Sequence, residues 1–336
     1  MNIYITLDYE LVLGRNVGTV RSCLVESTTA LCNMLRKYSV KVTFFVDCAY
    51  LLRMSELKDN YPALQKDYDD VVTNLQYLHD QGHSLQYHFH PQWLYSTYDN
   101  AGWHMDYDHY KLSDVEETKL RKDFRNGIIL LESIVNEKPV AFRAGGFSLT
   151  TCNYYVDLFK ENGILIDSSV NGGKVSSKLH SYDYTNAPQK TSWLFEDDVN
   201  ISVKNGKFRE YSITRAGRKK MGIFSILDRY KLKANYKSTI EYCDGGGSEF
   251  SKFDTFKKYF PQLFRIGKAF MTMDIFYSCA LINQYKTISK TDEDTIVIIG
   301  HPKHLSDASI KNTELFIKSA LEDGATFCVM DKTSYK

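Results

Sequence analysis

The stretch Gly82-His-Ser-Leu-Gln-Tyr-His-Phe-His-Pro-Gln-Trp93 holds three of the nine histidines in a chain of 336 residues. In an extended strand, side chains two residues apart lie on the same face. His88 and His90 are therefore expected to point to one spot, with Phe89 packed on the opposite face. Neutral imidazole is the commonest metal ligand among side chains. We interpret the stretch as a strand that ends at Pro91 and carries a candidate metal site. The alternative is a polar strand end with incidental histidines.

Strand and helix patterns alternate around this stretch, which favours βα units and a parallel sheet. Strand patterns occur at 2–7, 40–46, 138–148, 164–170, 295–300 and 326–330, and helical patterns at 21–38, 71–81, 112–135, 154–162, 253–286 and 306–324. Between 171 and 290 the pattern is less regular. α/β barrels often reach this length as one domain. We therefore expect a single α/β barrel domain over 1–336, with a long insertion at about 171–290.

Net charge and apolar patterning exclude several classes of partner. The formal net charge is +1, so no overall field favours nucleic acid or an anionic membrane. No apolar run approaches the roughly 20 residues of a membrane span, and the first residues show no signal-peptide pattern. The seven cysteines are scattered without a C-x-x-C pair, which predicts reduced thiols. A cytoplasmic location is the expectation.

A basic segment, 204–237, contains Arg215-Ala-Gly-Arg-Lys-Lys220 and an apolar run at 221–227. A solvated helix with one apolar face explains this composition. The alternative is docking to an anionic lipid or to a lipid-linked sugar that carries a pyrophosphate. The oligomeric state has no signature in the sequence.

Charged side chains follow several of the predicted strands. Asp8 and Glu10 follow the first strand, Arg143 ends a middle strand, and His301 follows a late one. The carboxyl ends of parallel strands share one face of a barrel, where barrel enzymes hold their catalytic groups. These side chains are therefore expected to meet the histidine pair, although each is also common as a structural cap or ion pair.

Five short motifs resemble, in their order along the chain, those of the polysaccharide deacetylases, also called the NodB-homology group or carbohydrate esterase family 4. They are Thr6-Leu-Asp-Tyr-Glu10, Val42-Thr-Phe-Phe-Val46, Gly82-His with His88-Phe-His-Pro91, Phe142-Arg-Ala-Gly-Gly146 and Gly300-His-Pro302. The resemblance covers about 1–170 and 295–333. It implies a distorted (β/α)7 barrel, similar to a TIM barrel, that uses a divalent metal to remove acetyl groups from N-acetylated sugars.

The resemblance also implies a set of metal ligands, and here the chain departs from the usual pattern. His88 matches the first histidine ligand. The second histidine usually comes four residues later, where this chain has Gln92, so His90 is expected to replace it. The family's second aspartate is replaced by Tyr9, and Glu10 is expected to supply the carboxylate. The expected cofactor is a divalent metal, with zinc as the first candidate.

Three further residues match catalytic positions of the family. Asp8 matches the catalytic base, Arg143 the arginine that orients the base, and His301 the late histidine that acts as general acid. Amide hydrolysis needs an activated water, a Lewis acid for the developing oxyanion and a proton for the leaving amine. The three residues and the metal cover these needs. The class implied is a hydrolase of carbon–nitrogen bonds other than peptide bonds.

Aromatic residues between 95 and 110 are typical of a loop lying over a site, and a carbohydrate is the expected partner. Trp93, Trp103 and Gly145 are the candidate substrate contacts. Two alternatives remain open because the ligand motifs are altered. One is a degenerate barrel that binds sugar, or serves as a scaffold in surface-polysaccharide synthesis, without turnover. The other is a metal amidase that acts on a non-sugar C–N bond.

Overall fold

The computed structural model describes residues 1–177, 181–217, 241–246 and 268–335. Its strands are β1 (Asn2–Tyr9), β2 (Thr43–Asp47), β3 (Ser84–Phe89), β4 (Thr97–Asp99), β5 (Gly102–His104), β6 (Ala141–Ala144), β7 (Ile166–Asp167), β8 (Gly173–Ser176), β9 (Ser181–Tyr184), β10 (Ser192–Phe195), β11 (Phe208–Tyr211), β12 (Arg215–Gly217), β13 (Lys268–Phe270), β14 (Thr295–Gly300) and β15 (Thr326–Cys328). Its α-helices are α1 (Ser27–Arg36), α2 (Cys48–Leu57), α3 (Pro62–Asp80), α4 (Glu117–Val135), α5 (Tyr155–Asn162), α6 (Leu281–Ile288) and α7 (Asp307–Glu322).

The main sheet has the order β10-β11-β7-β6-β3-β2-β1-β14, and β15 pairs with the first residues of β1. Its strands are parallel except for the β10–β11 pair. Thr214 brings the two ends of the sheet together, because its N–H donates to Val297 O at 3.0 Å while its carbonyl accepts from Met271 N–H at 2.9 Å. The result is a nearly closed barrel of eight strands. The expected α/β barrel is confirmed.

Alternation along the strands divides the core in two. Outward-facing apolar residues such as Ile3, Ile5 and Leu7 pack in the large cluster that includes the helices. Inward-facing residues form a second apolar cluster inside the barrel, made of Tyr4, Phe45, Ala141, Ile166, Tyr211, Val297 and Met330. Toward the carboxyl ends of the strands the interior becomes polar, with buried Thr6, Asp8 and Arg143. The same alternation that builds the core therefore aims polar side chains at one end of the barrel.

The middle of the chain differs from the sequence-based expectation. The interval 171–290 was expected to be an insertion, yet it contributes β10 and β11 to the main sheet. The basic segment was expected to be helical. Its described part instead contains β11 and β12, and 218–237 lie outside the described residues. The prediction of a helix over 253–286 is wrong for residues 268–274, which form β13 and an extended segment. Residues 253–267 lie outside the described residues.

One pair of cysteines contradicts the expectation of reduced thiols. Cys23 and Cys243 form a disulfide with an S–S distance of 2.05 Å. Disulfides are uncommon in reducing compartments. The cytoplasmic location stays a prediction, and the cysteine argument for it is weakened. In the part of the chain that the structure describes, no helix has both the length and the apolar character to cross a membrane.

Two buried carboxyl groups face each other behind the sheet. Asp167 on β7 and Glu210 on β11 are both fully buried, and their side chains interact electrostatically. Glu210 Oε1 also accepts the N–H of Val170 at 3.0 Å. Burial, followed by the negative charge of Asp167, raises the pKa of Glu210 well above its usual value. The pair therefore holds a proton that a solvated glutamate would release.

Replacing Glu210 with glutamine is expected to stabilise the protein at higher pH. Because the folded-state pKa is raised, the wild-type contribution is fully present below the usual value of 4.5. It is lost, at about 1.4 kcal/mol per pH unit, as the pH rises from there through the raised pKa. Urea unfolding from pH 5 to 9 should show that the free energy of unfolding of the variant, relative to that of wild type, increases as pH rises. Glu196→Gln is the control, since Lys207 lowers the pKa of Glu196, and a similar gain in that variant would contradict the explanation.

Candidate active site

The side chains that the sequence singles out converge at the carboxyl ends of the barrel strands. Asp8 and Glu10 come from β1 and the residue after it, His88 and His90 from β3 and its end, Arg143 from β6, and His301 from the end of β14. All are buried except His301, whose side chain is 19% exposed. The direction of Tyr9 follows from the alternation of the strand, and its hydroxyl donates to Asn74 on α3 at 2.8 Å. Glu10 therefore lies on the same side as Asp8, while Tyr9 faces away.

Glu10 and the histidine pair form a compact donor set. Glu10 Oε2 lies 2.8 Å from His90 Nε2 and 3.5 Å from His88 Nε2. The three ligand atoms lie within 4.8 Å of one another. Burial raises the pKa of Glu10, but Lys303 and the imidazoles outweigh it and hold the pKa of this carboxyl well below its usual value. Glu10 is thus an ionised carboxylate facing two ring nitrogens.

Two atoms of this donor set indicate that a cation fits between them. His88 Nε2 is buried and has no hydrogen-bond partner within the described chain, and the buried Oε2 of Glu10 has only the ring nitrogens of His88 and His90 beside it. Leaving such atoms unpaired costs free energy unless a ligand satisfies them. Two imidazole nitrogens and one carboxylate oxygen are the donor set of many zinc sites. The residues present therefore fit a divalent metal.

Each imidazole is oriented through its other ring nitrogen. His88 Nδ1 lies 2.7 Å from the carbonyl of Arg143, so a proton on Nδ1 leaves the Nε2 lone pair facing Glu10. His90 Nδ1 lies 3.3 Å from the side-chain amide of Gln92, whose Oε1 has no partner among the described residues. Rotation of the Gln92 amide by half a turn would let Oε1 accept a hydrogen bond from His90 Nδ1. Partners of this kind fix the tautomer of metal-ligating histidines.

Gly145 leaves the space that His90 needs. A Cβ atom at this position would lie 2.7 Å from both His90 Nδ1 and the carbonyl of Phe89. Glycine is therefore required for the close approach of β6 to the end of β3. Asp47, at the end of β2, accepts the backbone N–H of His90 at 3.2 Å through Oδ1. Gly145 and Asp47 therefore both help to hold His90 in its position.

Asp8 is held by a fully buried arginine. Arg143 Nη1 donates to Asp8 Oδ1 at 2.6 Å. The rest of the guanidinium donates to Ser168 O at 2.9 Å, Ser168 Oγ at 2.9 Å and Thr6 Oγ1 at 2.8 Å. It also lies over the ring of Phe45, 4.2 Å from its centroid. This network fixes Asp8 and directs its second oxygen toward His301.

His301 is oriented by an aspartate that no sequence motif indicates. Its Nδ1 lies 2.8 Å from Asp274 Oδ2, and its backbone N–H donates to Asp274 Oδ1 at 2.8 Å. Its Nε2 lies 3.6 Å from Asp8 Oδ2 and 3.7 Å from Glu10 Oε1. Burial lowers the pKa of His301, but Asp274 and then Asp8 outweigh it and raise the pKa above its usual value. The ring therefore favours the protonated form.

The strand β14 explains why Asp274 lies there. Thr272 forms a parallel bridge with Ile299, and the N–H of Met273 donates to Ile299 O at 3.0 Å. A Cβ atom at Gly300 would come within 2.3 Å of Met273 Cγ, so the glycine permits this approach. Asp274 is thereby carried alongside the end of β14.

Residues 2–164 match a family model described as polysaccharide deacetylase. This part of the chain, just under half of its length, is similar to the polysaccharide deacetylase family. The resemblance seen in the sequence is confirmed. The matched residues include Asp8, Glu10, His88, His90 and Arg143, whereas His301, Asp274 and Lys303 lie beyond them. No curated protein matches this chain.

Several solved structures are similar to this chain. A Mycobacterium smegmatis protein assigned to the polysaccharide deacetylases is 14% identical with a TM-score of 0.46, and the match covers 97% of this chain and 85% of that one. The catalytic domain of a peptidoglycan N-acetylglucosamine deacetylase from Eubacterium rectale is 13% identical with a TM-score of 0.43, and the match covers 99% of this chain and 89% of that one. A carbohydrate esterase family 4 pseudoenzyme from Bacillus anthracis is 11% identical with a TM-score of 0.41, and the match covers 98% of this chain and 63% of that one.

Trp93, which was expected to contact substrate, lies deeper than the sequence suggested. Trp93 is fully buried, and its ring packs 4.6 Å from Tyr50 and 5.1 Å from Trp103. The structure thus places Trp93 in the core and not on a substrate surface. Trp103 lies on the β4–β5 hairpin and is partly exposed. Tyr110 packs edge-on against His90 at 5.7 Å, so the loop does reach the site. Trp103 and Gly145 stay predictions as substrate contacts.

The third histidine of the opening stretch has a structural role. His83 Nδ1 accepts the backbone N–H of Val42 at 3.2 Å, and its Nε2 lies 3.4 Å from Cys32 Sγ. Burial lowers the pKa of His83 to about 4. It is a neutral ring within the core and does not belong to the donor set that His88 and His90 form with Glu10.

Proposed function

We propose that the protein is a metal-dependent hydrolase that removes acetyl groups from N-acetylated sugars. The match of residues 2–164 to the polysaccharide deacetylase model supports a hydrolase that acts on N-acetyl groups. The observation that carries the proposal is the convergence of Asp8, Arg143 and His301 on the donor set of Glu10, His88 and His90. Base, orienting arginine, acid and metal ligands thus occupy one end of the barrel, where barrel enzymes hold their chemistry.

The residues divide the reaction into two proton transfers. A divalent metal bound by Glu10, His88 and His90 supplies a Lewis acid and a water of lowered pKa. Asp8 accepts the proton of the attacking water through Oδ2, because Arg143 engages Oδ1. His301 donates a proton from Nε2 to the departing amine, because Asp274 engages Nδ1. The proximity of Asp8 Oδ2 and His301 Nε2 allows base and acid to act on the same substrate amide.

Several finer points are part of this proposal. Zinc is the first candidate for the metal, since the donor set is two imidazoles and one carboxylate. A cytoplasmic enzyme would act on nucleotide-linked or lipid-linked precursors of a polysaccharide. Docking to a lipid-linked sugar through 204–237 and the organisation of 1–336 as one domain also stay predictions.

Purified wild-type protein is expected to bind about one zinc per chain, and His88→Ala and His90→Ala to lose it. Removing an outer partner of a ligand already costs about 10–100-fold in affinity, so loss of a ligand should exceed 100-fold. Metal content by elemental analysis and zinc titration measure this. His83→Ala is the matched control, because His83 lies in the same stretch and contacts Val42 and Cys32 instead.

Acetate release completes the test. Wild type loaded with zinc is expected to release acetate from N-acetylated oligosaccharides or nucleotide sugars, and each ligand variant to release none above background. Unchanged metal content in both ligand variants would remove the proposed site. Metal binding without acetate release from any N-acetylated sugar would favour the non-sugar amidase, and a wild type that binds no metal would favour the non-catalytic barrel.

A further inference from the structure

Lys303 is a buried cation that touches the proposed metal ligands. It lies one turn beyond β14, two residues after His301, and its side chain is 7% exposed. Its Nζ donates to Glu10 Oε1 at 2.9 Å and to the carbonyl of Leu11 at 2.9 Å. Lysine is almost never this buried unless it is paired. The contact is therefore a built feature of the site and not a surface ion pair.

This contact divides the two oxygens of Glu10 between different partners. Oε1 is engaged by Lys303, whereas Oε2 faces the Nε2 atoms of His88 and His90. The ammonium group thereby determines which oxygen of Glu10 faces the two imidazoles. The carbonyl of Leu11, next to Glu10 in the chain, fixes the ammonium group in turn.

A positive charge beside a cation site also acts against cation binding, since like charges repel more strongly where water is excluded. An ammonium group at this position therefore makes the site bind a metal less tightly than the same ligands alone. A residue that only supported the fold would have the opposite effect, because its loss would loosen the ligands. The two roles predict opposite signs for the change in metal affinity.

We propose that Lys303 is a positioning residue that engages Oε1 of Glu10, so that Glu10 offers a single oxygen, Oε2, to a divalent metal. This inference rests on the proposed metal-dependent function. Lys303 thereby lowers the metal affinity. In return, the second carboxylate oxygen does not occupy any of the remaining coordination positions of the electrophilic metal. Loss of the ammonium group frees Oε1 to reach the metal and removes the repulsion.

The test replaces Lys303 with methionine, which keeps the length of the side chain and removes its charge. In Lys303→Met, we expect the affinity for Co²⁺ and Zn²⁺ to rise at least threefold in a titration against a chromophoric chelator. The visible absorption of bound Co²⁺ should weaken, as it does when coordination number increases. With N-acetylated sugars, kcat should fall at least tenfold while KM changes less than threefold. Lys303→Arg, which keeps the charge, should restore the cobalt spectrum.

Two matched variants separate the role from general effects. Lys58→Met removes a partly buried lysine that pairs with Asp59 at 2.9 Å away from the donor set, and its cobalt spectrum and kcat should equal those of wild type. In a Glu10→Gln background, Lys303→Met should no longer change the cobalt spectrum, because its effect passes through the carboxylate. If the methionine variant does not fold, Lys303→Gln replaces it in the same titrations.

The outcomes distinguish this inference from the proposed function. A wild type that binds neither Co²⁺ nor Zn²⁺ refutes the proposed function and the inference with it. A wild type that binds metal, together with a Lys303→Met variant of equal spectrum and affinity, overturns the inference and leaves the function standing. Weaker metal binding in Lys303→Met, with a lower melting temperature, also overturns it, because that is the result of a structural role.

Discussion

Replacing Asp8 with asparagine is expected to lower kcat by about 10²–10⁴-fold while the protein keeps its fold and its metal. Asparagine has the shape of aspartate, and its side-chain oxygen still accepts from Arg143 Nη1, now 2.6 Å from Asp8 Oδ1. What it lacks is a carboxylate that accepts a proton from water. Because Glu10, His88 and His90 are untouched, metal content should stay at the wild-type value. KM should change less than kcat, since a base acts mainly in the transition state.

The control for this prediction is Asp123→Asn. Asp123 is also a buried aspartate paired with a cation, with 2.6 Å between Lys119 Nζ and Asp123 Oδ2, but it lies on α4 away from the site. Its variant should retain wild-type kcat. Steady-state kinetics and metal analysis on the same preparations give the result. Loss of metal in Asp8→Asn would make Asp8 a ligand, and an undiminished kcat would remove it as the base.

The sequence predicted most of the barrel because its signals are local. Buried strands such as Asn2–Tyr9 and Thr295–Gly300 are rich in apolar and β-branched residues, and βα alternation with parallel pairing leaves few alternative topologies. The strands β10 and β11 were missed because each has four residues, with no helix between them to complete the βα pattern. The disulfide was missed because Cys23 and Cys243 are 220 residues apart, and scattered cysteines do not reveal their pairing.

The same distinction applies to the site. Asp8, Glu10, His88 and His90 were found because two-residue spacing at a strand end places side chains on one face. Asp274 was missed because it reaches His301 across 27 residues, through a bridge between segments that carry no motif. Lys303 had a weak signal, since it follows the Gly300-His-Pro302 motif directly. Its contact with Glu10, however, depends on how two neighbouring strands end.

Replacing Arg143 with methionine is expected to destabilise the protein by about 3–5 kcal/mol, because it leaves a buried carboxylate without its partner. Arg143 is fully buried, and its donors satisfy Asp8, Thr6 and Ser168 at distances from 2.6 to 2.9 Å. Methionine fills part of the volume but supplies no donor. A loss of this size is a large fraction of the stability of an ordinary domain. Urea unfolding of metal-free protein measures it without a contribution from bound metal.

The matched control for this loss is Arg209→Met. Arg209 on β11 also donates to a backbone carbonyl and a hydroxyl, those of Tyr335 and Ser192, but it is partly exposed. Its replacement should cost less than about 1 kcal/mol. A similar loss in both arginine variants would show that burial of Asp8 is not the cause.

The double variant Asp8→Asn with Arg143→Met identifies the origin of the loss. If the cost comes from an unpaired charge, neutral asparagine should recover part of it, so the double variant should be more stable than Arg143→Met alone. A coupling of about 1–3 kcal/mol is expected for residues in one network. Simple additivity of the two single changes would instead mean that Arg143 stabilises the barrel through Thr6, Ser168 and Phe45, independently of the base. Recovery of stability without recovery of turnover would show that the same ion pair serves both the fold and the reaction, because asparagine can replace Asp8 in the first role and not in the second.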